Sequence, residues 1–478
     1  MSLTRSVALN SVVQIAGKVV STVIGLVVIG VLTRSLGPAG FGHYTTALAY
    51  LQVFGVLVDM GLYIVLVKKL AEEPDRADEW ASTAFTLRLY TALGFLLLAP
   101  LTVLLTHYSG DVKTAVAIAT LSTFAVTMNQ VLVGVFQWRL RMDRVAIAEI
   151  VGRVVLLAGT LIVVAHHVTV PAVMLTVALG SLVNAAVSLG FSQALVRIRL
   201  RLNRDMVRTI FREGWPIALS IAFNLVYFKA DTLILSAVRP ASEVGFYGSA
   251  YKVLEVLATV PAMVAGLLMP ILAAAYAARD SERFRNILQR TVDTIGLLAI
   301  PLAVGTGFVA RQVMLLVGGP AYVAAAPVLT LLMVATAAIF YGNLFANTVV
   351  AVNAQRRMLW GYAGVAIVSL LGYLLTIPRW GMLGAASMTV ASEVGMTAVA
   401  FVLIVRATGL RLRPRNLLRI LGACLPLVLA LFLTPSLGLV WRLALALAAY
   451  AVGLTLFRVF PSDLFRQVFS RIGYARRD

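Results

Sequence analysis

The chain carries little charge and few residues that could bind a metal or form a disulfide. Charged residues make up 13% of its 478 residues and hydrophobic residues 60%, whereas soluble domains carry about 25% charged residues. Cys424 is the only cysteine, so an intrachain disulfide is excluded. The adjacent His166 and His167 have no third metal ligand near them in sequence, and we predict no metal site. There is no Gly-x-x-x-x-Gly-Lys-Ser/Thr loop, so we expect neither ATP hydrolysis nor a cofactor.

Long apolar stretches dominate the sequence instead. Each of fourteen stretches is long enough to cross the roughly 30 Å hydrocarbon core of a bilayer. The predicted spans are residues 7–33, 39–67, 81–107, 113–138, 144–166, 170–195, 214–238, 244–275, 286–310, 323–350, 357–377, 381–405, 416–434 and 438–459. We therefore predict an all-α, polytopic membrane protein with about 14 transmembrane helices. The first stretch is too long for the core of a signal peptide, so we expect it to be retained.

Lysine and arginine alternate between the loops on the two sides of these spans. Thirty of the 40 basic residues fall on one side and six on the other, while Lys18, Arg153, Lys229 and Lys252 lie inside spans. Basic loops stay in the cytoplasm, so the pattern predicts a multi-pass cell-membrane protein with both termini cytoplasmic. The formal charge of +20 lies in short loops beside spans. This arrangement favours contact with anionic membrane lipids over binding to nucleic acid.

An internal repeat divides the chain. Residues 41–53 are similar to residues 244–256, which lie 203 positions later. The coinciding pairs are Gly42 and Gly245, Tyr44 and Tyr247, Ala47 and Ala250, Leu51 and Leu254, and Val53 and Val256. Because each half has six spans, the halves share one orientation, and parallel repeats of this kind are a transporter architecture. The predicted division is a six-helix bundle at 1–196, a basic cytoplasmic linker at 197–213, a second six-helix bundle at 214–406, and two further transmembrane helices with a basic tail at 407–478.

Several short motifs carry a family resemblance. The segment Leu32–Tyr44 (LTRSLGPAGFGHY) with Asp59–Gly61 (DMG) resembles the start of polysaccharide flippases of the multidrug/oligosaccharidyl-lipid/polysaccharide exporter superfamily. Gly214–Pro216, Glu243–Tyr247 and Gly381–Ala386 resemble the second half of these proteins. The resemblance implies two six-helix bundles around a V-shaped cavity. It also implies transport of a polyprenyl-diphosphate-linked saccharide to the outer leaflet.

Polar residues at helical spacing indicate which side chains face the cavity. Asn10, Gln14, Lys18, Ser21 and Gly25 form one stripe on the first span. A charge at bilayer depth costs about 3 kcal/mol or more, so this stripe must face protein or water. Lys18 is either a cation that meets the substrate or the buried partner of an acid. The candidate cavity residues are Asn10, Gln14, Lys18, Asn224, Lys229 and Lys252.

Embedded acids supply candidates for ion coupling. These are Asp59, Asp231, Glu255, Asp293 and Glu393. Glu255 is three residues from Lys252 and the two are able to neutralise each other, while Asp59 is equally able to pin the end of its span. Glu149 and Arg153, four residues apart, are expected to form a local ion pair.

The sequence thus favours a flippase over an enzyme. We expect alternating access driven by an ion gradient or the membrane potential, with lipid-linked oligosaccharide as substrate and polysaccharide polymerase and glycosyltransferases as further partners. The alternatives are a drug or metabolite antiporter of the same superfamily and a scaffold of polysaccharide assembly that does not transport. A membrane glycosyltransferase or ligase would usually carry catalytic groups in a large outer loop, and the predicted outer loops are all short.

Overall fold

The computed structural model describes the backbone of residues 3–459, and the side chains of residues 16–459 apart from 260, 262–264 and 267. The described chain is helical throughout, with short loops and two 3₁₀ turns, Pro74–Arg76 and Pro320–Ala325. The α-helices are α1 (Leu3–Asp59), α2 (Leu62–Glu72), α3 (Ala77–Leu96), α4 (Leu98–Leu104), α5 (Gly110–Trp138), α6 (Met142–His166), α7 (Val170–Ser192), α8 (Arg204–Val238), α9 (Ala241–Ala277), α10 (Ser281–Gly318), α11 (Ala326–Ala351), α12 (Gln355–Thr408), α13 (Arg415–Leu433) and α14 (Leu439–Leu456).

The two longest helices each extend over two predicted spans, and the second span of α1, 39–67, continues into α2. Gly37 interrupts α1 with a φ of 65°, directly before Pro38, and Gly381 interrupts α12 with a φ of 54°, three residues after Pro378. Glycine adopts positive φ without strain and proline removes a helical hydrogen bond, so the chain bends at these points. Within the described residues, eleven helical segments are long and apolar enough to cross a membrane. The predicted all-α polytopic fold is confirmed. Two of these segments cover two predicted spans each, and the remaining predicted span, 244–275, lies on α9, so the fourteen predicted spans are compatible with the structure.

One compact unit comprises residues 1–249, 317–322 and 366–385. Within it α1, α5, α6 and α7 pack together, and α2, α3 and α5 share a core with the beginning of α8. Leu66 and Trp80 are buried at the centre of this core, together with Met206. The unit extends past the predicted first bundle, since it includes α8 and the start of α9.

The first half of the predicted linker is tethered to α3. We call residues 197–203 the arginine strap, because Arg197, Arg199 and Arg201 are exposed along it. The backbone N–H groups of alternate residues donate to α3 side chains: Arg197 to Asp78 (3.0 Å), Arg199 to Ser82 (3.0 Å), Arg201 to Thr86 (3.1 Å) and Asn203 to Thr83 (3.4 Å). The second half of the linker is helical. Asn203 caps α8 by accepting hydrogen bonds from two backbone N–H groups of its first turn.

The repeat glycines face each other inside the first unit. A Cβ added to Gly42 would overlap the carbonyl oxygen of Ala241 and lie 3.1 Å from the Gly245 nitrogen. A Cβ added to Gly245 would overlap the carbonyl oxygen of Pro38 and lie 3.1 Å from the Gly42 nitrogen. Pro38 and Ala241 are also 203 positions apart. The contacts therefore exchange under the repeat offset, so a local two-fold rotation relates the crossing segments of α1 and α9.

The second unit comprises residues 250–316, 323–365 and the chain from 386 onward. Here α13 and α14 pack on α10 around Ile420, Cys424 and Leu427. Arg442 of α14 is buried and donates to the Gln312 side chain at 2.8 Å and to the Leu431 carbonyl at 2.7 Å. The last two helices are thus bound to α10 by buried polar contacts as well as by apolar packing.

Candidate functional site

The stripe on α1 meets α6 in the first unit. Lys18 Nζ lies 3.2 Å from Glu149 Oε1, and the Ser21 hydroxyl donates to the same oxygen at 2.7 Å. Glycine brings the two helices together, because a Cβ added at Gly17 would come within 2.5 Å of Ala146 Cβ. The predicted stripe therefore faces a neighbouring helix along at least part of its length.

The expected local pair between Glu149 and Arg153 is wrong. Among the described residues Glu149 forms its ion pair with Lys18, while Arg153 lies only within electrostatic range of it. Helical spacing places Glu149 and Arg153 on one face, but the ammonium on the packed neighbour comes closer. We call Lys18, Glu149 and Arg153 the basic cluster, since two cations and one acid leave a net positive charge. The Lys18 side chain is 45% exposed, so its ammonium remains accessible.

The other residues of the predicted stripe are only partly described. Asn10 and Gln14 lie on α1, and their side chains are outside the described residues. Among the cationic candidates for the cavity, Lys252 lies in the second unit. It forms an ion pair of 2.7 Å with Glu255 on its own helix. This favours the interpretation that Lys252 and Glu255 neutralise each other.

A second polar network surrounds α8. The Asn224 amide donates to the Tyr227 hydroxyl at 3.1 Å, and the Tyr373 hydroxyl donates to the Tyr227 carbonyl at 3.1 Å. One turn further along, Asp231 is fully buried and accepts hydrogen bonds from the Tyr247 hydroxyl and from Thr232. Lys229 lies within electrostatic range of Asp231. Asn224 is therefore held by a tyrosine of its own helix, and Asp231 by Tyr247 of α9.

The remaining acids have distinct surroundings. Asp59 forms an ion pair with Arg88, whose side chain is fully buried in α3 although the sequence grouped it with the basic loops. Asp293 of α10 accepts a hydrogen bond of 3.0 Å from Gln289, a neutral group. Glu393 of α12 is 5% exposed. Among the described residues no cluster of three or more His, Cys, Asp or Glu side chains could hold a metal ion.

Sequence reasoning missed the polar contacts at the bend of α12. Glu243 accepts a hydrogen bond of 3.0 Å from the Met382 backbone N–H, and Arg239 donates to the Ile377 carbonyl at 3.3 Å. The bend exposes these backbone groups, because the helix is interrupted at Gly381. Glu243 and Gly381 both lie in motifs that carry the family resemblance. These motifs were the feature of the sequence that could have pointed to the contacts at the bend.

Comparison with known proteins identifies the family. Residues 7–276 match the family model described as "Polysaccharide biosynthesis protein". The chain belongs to this family. It is 24% identical over 318 residues to a Shigella flexneri protein named "Putative O-antigen transporter", covering 63% of this chain and 73% of that protein.

Solved structures share the fold at low sequence identity. The lipid II flippase MurJ in an inward closed conformation superposes with a TM-score of 0.76 at 11% identity, covering 93% of this chain and 98% of that one. An inward-facing multidrug resistance transporter of the MATE family gives a TM-score of 0.67 at 15% identity, covering 83% of this chain and 97% of that one. The resemblance to polysaccharide flippases found in the sequence is confirmed at the level of family and fold.

Proposed function

We propose that the protein is a flippase that moves a polyprenyl-diphosphate-linked saccharide from the cytoplasmic to the outer leaflet of the cell membrane, for the synthesis of surface polysaccharide. Three findings support this proposal: the family match, the similarity to a protein named as an O-antigen transporter, and a fold shared with a lipid II flippase. Both termini are cytoplasmic in this proposal, because most basic residues lie on the side of the termini. The polymerase and glycosyltransferases of the same synthesis are its expected partners.

The basic cluster is the observation that carries the proposal. A diphosphate that leaves water needs cationic donors to replace its lost hydration, and charge-assisted hydrogen bonds are the strongest available. Lys18 and Arg153 supply two cations inside spans against one acid, Glu149. A purely structural ion pair would need one charge of each sign. The surplus cation, together with the half-exposed ammonium of Lys18, fits a site for an anionic headgroup. Asn10 and Gln14, which the sequence predicts on the same stripe as Lys18, and Asn224, Lys229 and Lys252 are further cavity candidates in this proposal.

Transport is driven in this proposal by an ion gradient or the membrane potential, and the acids divide into two groups. Asp59 and Glu255 each pair with a cation, Arg88 and Lys252, and are assigned to structure. Asp231 is fully buried, accepts a hydrogen bond from Tyr247 and lies within electrostatic range of Lys229; Asp293 accepts a hydrogen bond from Gln289; and Glu393 is buried within α12. A carboxyl group in such surroundings can gain and lose a proton or a cation during the cycle. These three acids are the coupling candidates.

The decisive experiment compares two single variants of Lys18 with a double variant of Lys18 and Glu149 in a strain lacking the native gene. Lys18→Ala should abolish surface polysaccharide at normal membrane protein level, whereas Lys18→Arg should retain part of it because the charge persists. Loss of one partner from a fully buried pair costs about 3–5 kcal/mol, and the half-exposed position of Lys18 makes the cost here smaller.

The double variant Lys18→Ala/Glu149→Ala separates substrate binding from folding. If Lys18 only neutralises Glu149, removing both should restore protein level and transport together. If it binds the headgroup, the double variant should be well expressed and inactive. Normal polysaccharide in a well-expressed Lys18→Ala strain would contradict the proposed role, and normal polysaccharide with increased drug sensitivity in the gene deletion would favour the antiporter.

A further inference from the structure

An apolar groove of about 570 Å³ lies within the second unit. One wall is a face of α11 that runs from Val334 to Phe345, and the other is the face of α12 from Val394 to Phe401. The residues on both walls recur every three or four positions, so each wall is a continuous helical stripe. Apart from Thr397 and Tyr341, these stripes are made of side chains without polar atoms.

The length of the groove matches one leaflet of a bilayer. Phe345 lies eleven positions after Val334, which at 1.5 Å per residue makes the α11 wall about 16 Å long, and the α12 wall from Val394 to Phe401 covers about 10 Å of that length. Half of the hydrocarbon core is about 15 Å. The α11 wall is therefore long enough for a single hydrocarbon chain that extends from one membrane surface to the midplane.

A positioned arginine stands at one end of the groove. Gln289 of α10 binds both backbone groups of Arg413: the Arg413 N–H donates to Oε1 at 2.8 Å, and Nε2 donates to the Arg413 carbonyl at 3.1 Å. The guanidinium itself is exposed and makes no hydrogen bond or ion pair with any residue that the structure describes. The backbone is fixed while the charged group stays available, which is the arrangement a docking site for an anion requires.

The charge around this end is mostly positive. Arg411 and Arg415 flank Arg413 in the same exposed segment, and Arg290 is exposed on α10. Asp293 accepts a hydrogen bond from Gln289, and the acids Asp280 and Glu282 line a cavity together with Arg411, Arg279 and Arg285. One polar atom also lies among the groove residues, because the Tyr341 hydroxyl is buried without a partner among the described residues.

We propose that this groove binds one acyl chain of an anionic glycerophospholipid, whose phosphate binds the Arg413 guanidinium. The groove supplies the apolar contact and Arg413 the charge complementarity, which a zwitterionic lipid would satisfy less well. Each basic residue near an anionic headgroup is worth about 1 kcal/mol, so Arg413 should strengthen binding of the anionic lipid about fivefold. The proposal concerns a resident lipid and does not depend on the transported substrate.

Native mass spectrometry of the full chain, titrated with phosphatidylglycerol or with phosphatidylcholine of the same acyl chains, tests this site. Arg413→Ala should weaken phosphatidylglycerol binding about fivefold and leave phosphatidylcholine nearly unchanged. The matched control is Arg415→Ala, which removes the same charge from the same segment at a side chain that does not line the groove. Equal losses in the two variants would mean general attraction to the basic surface and would overturn the site.

A second pair of variants tests the groove. Ala398→Trp places a large ring at an exposed position of the α12 wall and should remove the tightest lipid, while Val440→Trp on exposed α14 should not. Both substitutions add bulk at exposed positions, so thermal stability in detergent should remain near that of the wild type. Retained phosphatidylglycerol binding in Ala398→Trp, or preferential displacement of that lipid by undecaprenyl phosphate, would contradict the proposal.

Discussion

Gly42 and Gly245 lie against each other at a helix crossing where neither position has room for a methyl group. Each Cβ would overlap a carbonyl oxygen of the opposite helix, and the two obstructing carbonyls, those of Ala241 and Pro38, are themselves repeat partners. Small residues let membrane helices approach closely enough for backbone contacts. The repeat is thus visible in the structure as a symmetric contact, and both copies of the motif need glycine for the same reason.

Gly42→Ala and Gly245→Ala should each destabilise the protein. Overpacking against a fixed backbone costs about 1–3 kcal/mol, so melting in detergent should occur at a lower temperature and membrane protein level should fall. The matched control is Gly94→Ala in α3, where a Cβ meets no atom within 4 Å and alanine should be neutral or stabilising. Equal stability of all three variants would show that the crossing is loose.

Arg88 and Asp59 should behave as a structural pair. Asp59→Asn leaves a fully buried guanidinium without its carboxylate, and breaking a buried pair costs about 3–5 kcal/mol, so the amount of folded protein should drop sharply. The double variant Asp59→Leu/Arg88→Met removes both charges and should recover much of that level. A well-expressed Asp59→Asn variant with an altered ion dependence would instead return Asp59 to the coupling candidates.

The three coupling candidates should affect ion dependence more than folding. Asp231→Asn, Asp293→Asn and Glu393→Gln keep the side-chain shape and one acceptor oxygen, so membrane protein levels should stay near normal. Because the neutral side chain can neither release a proton nor hold a cation, the pH or sodium dependence of saccharide export should change in at least one variant. Asp75→Asn, at an exposed loop position, is the control and should leave the dependence unchanged. Three unchanged profiles would assign these acids to structure.

The distribution of basic residues predicts the orientation of the chain. Reporter fusions after Arg204 and Arg415 should be cytoplasmic, and fusions near Lys113, His167 and Gly319 should be external. One reporter enzyme that is active only in the cytoplasm and one that is active only outside it would measure the location of both groups of fusions. A cytoplasmic reporter at His167 would be incompatible with an even number of spans in each half.

The sequence predicted those features that depend on a single helix. Apolar length located the helices, and the gaps between predicted spans at 34–38 and 378–380 fall at or directly before the bends of α1 and α12 at Gly37 and Gly381. Helical spacing also gave the polar stripe of Lys18, but it could not name Glu149 as the partner, because periodicity fixes a face and says nothing about which helix packs there. The same limit explains the error at Arg153, where the nearest opposite charge in sequence was not the nearest in space.

Contacts made by backbone groups were hidden for another reason. Ser82, Thr83 and Thr86 are ordinary polar residues of a helix, and nothing in their spacing shows that they accept hydrogen bonds from a distant peptide. The bond from Met382 to Glu243 was hidden in the same way. Such bonds need the acceptor side chain and the donor backbone to meet in three dimensions.

The arginine strap has a mechanical consequence. Every second residue of this connecting peptide is hydrogen-bonded to α3, so the peptide is a rigid connection and not a flexible linker. We therefore expect α3 and the first turns of α8 to move together as one rigid body. Bending within α8 is then confined to positions after the arginine strap. Pro216 is the position where α8 should bend most easily, because proline has no backbone N–H to donate to the helix. Inserting residues into this connection should therefore not let α8 move further from α3, as long as the α3 hydroxyls still accept hydrogen bonds from the arginine strap.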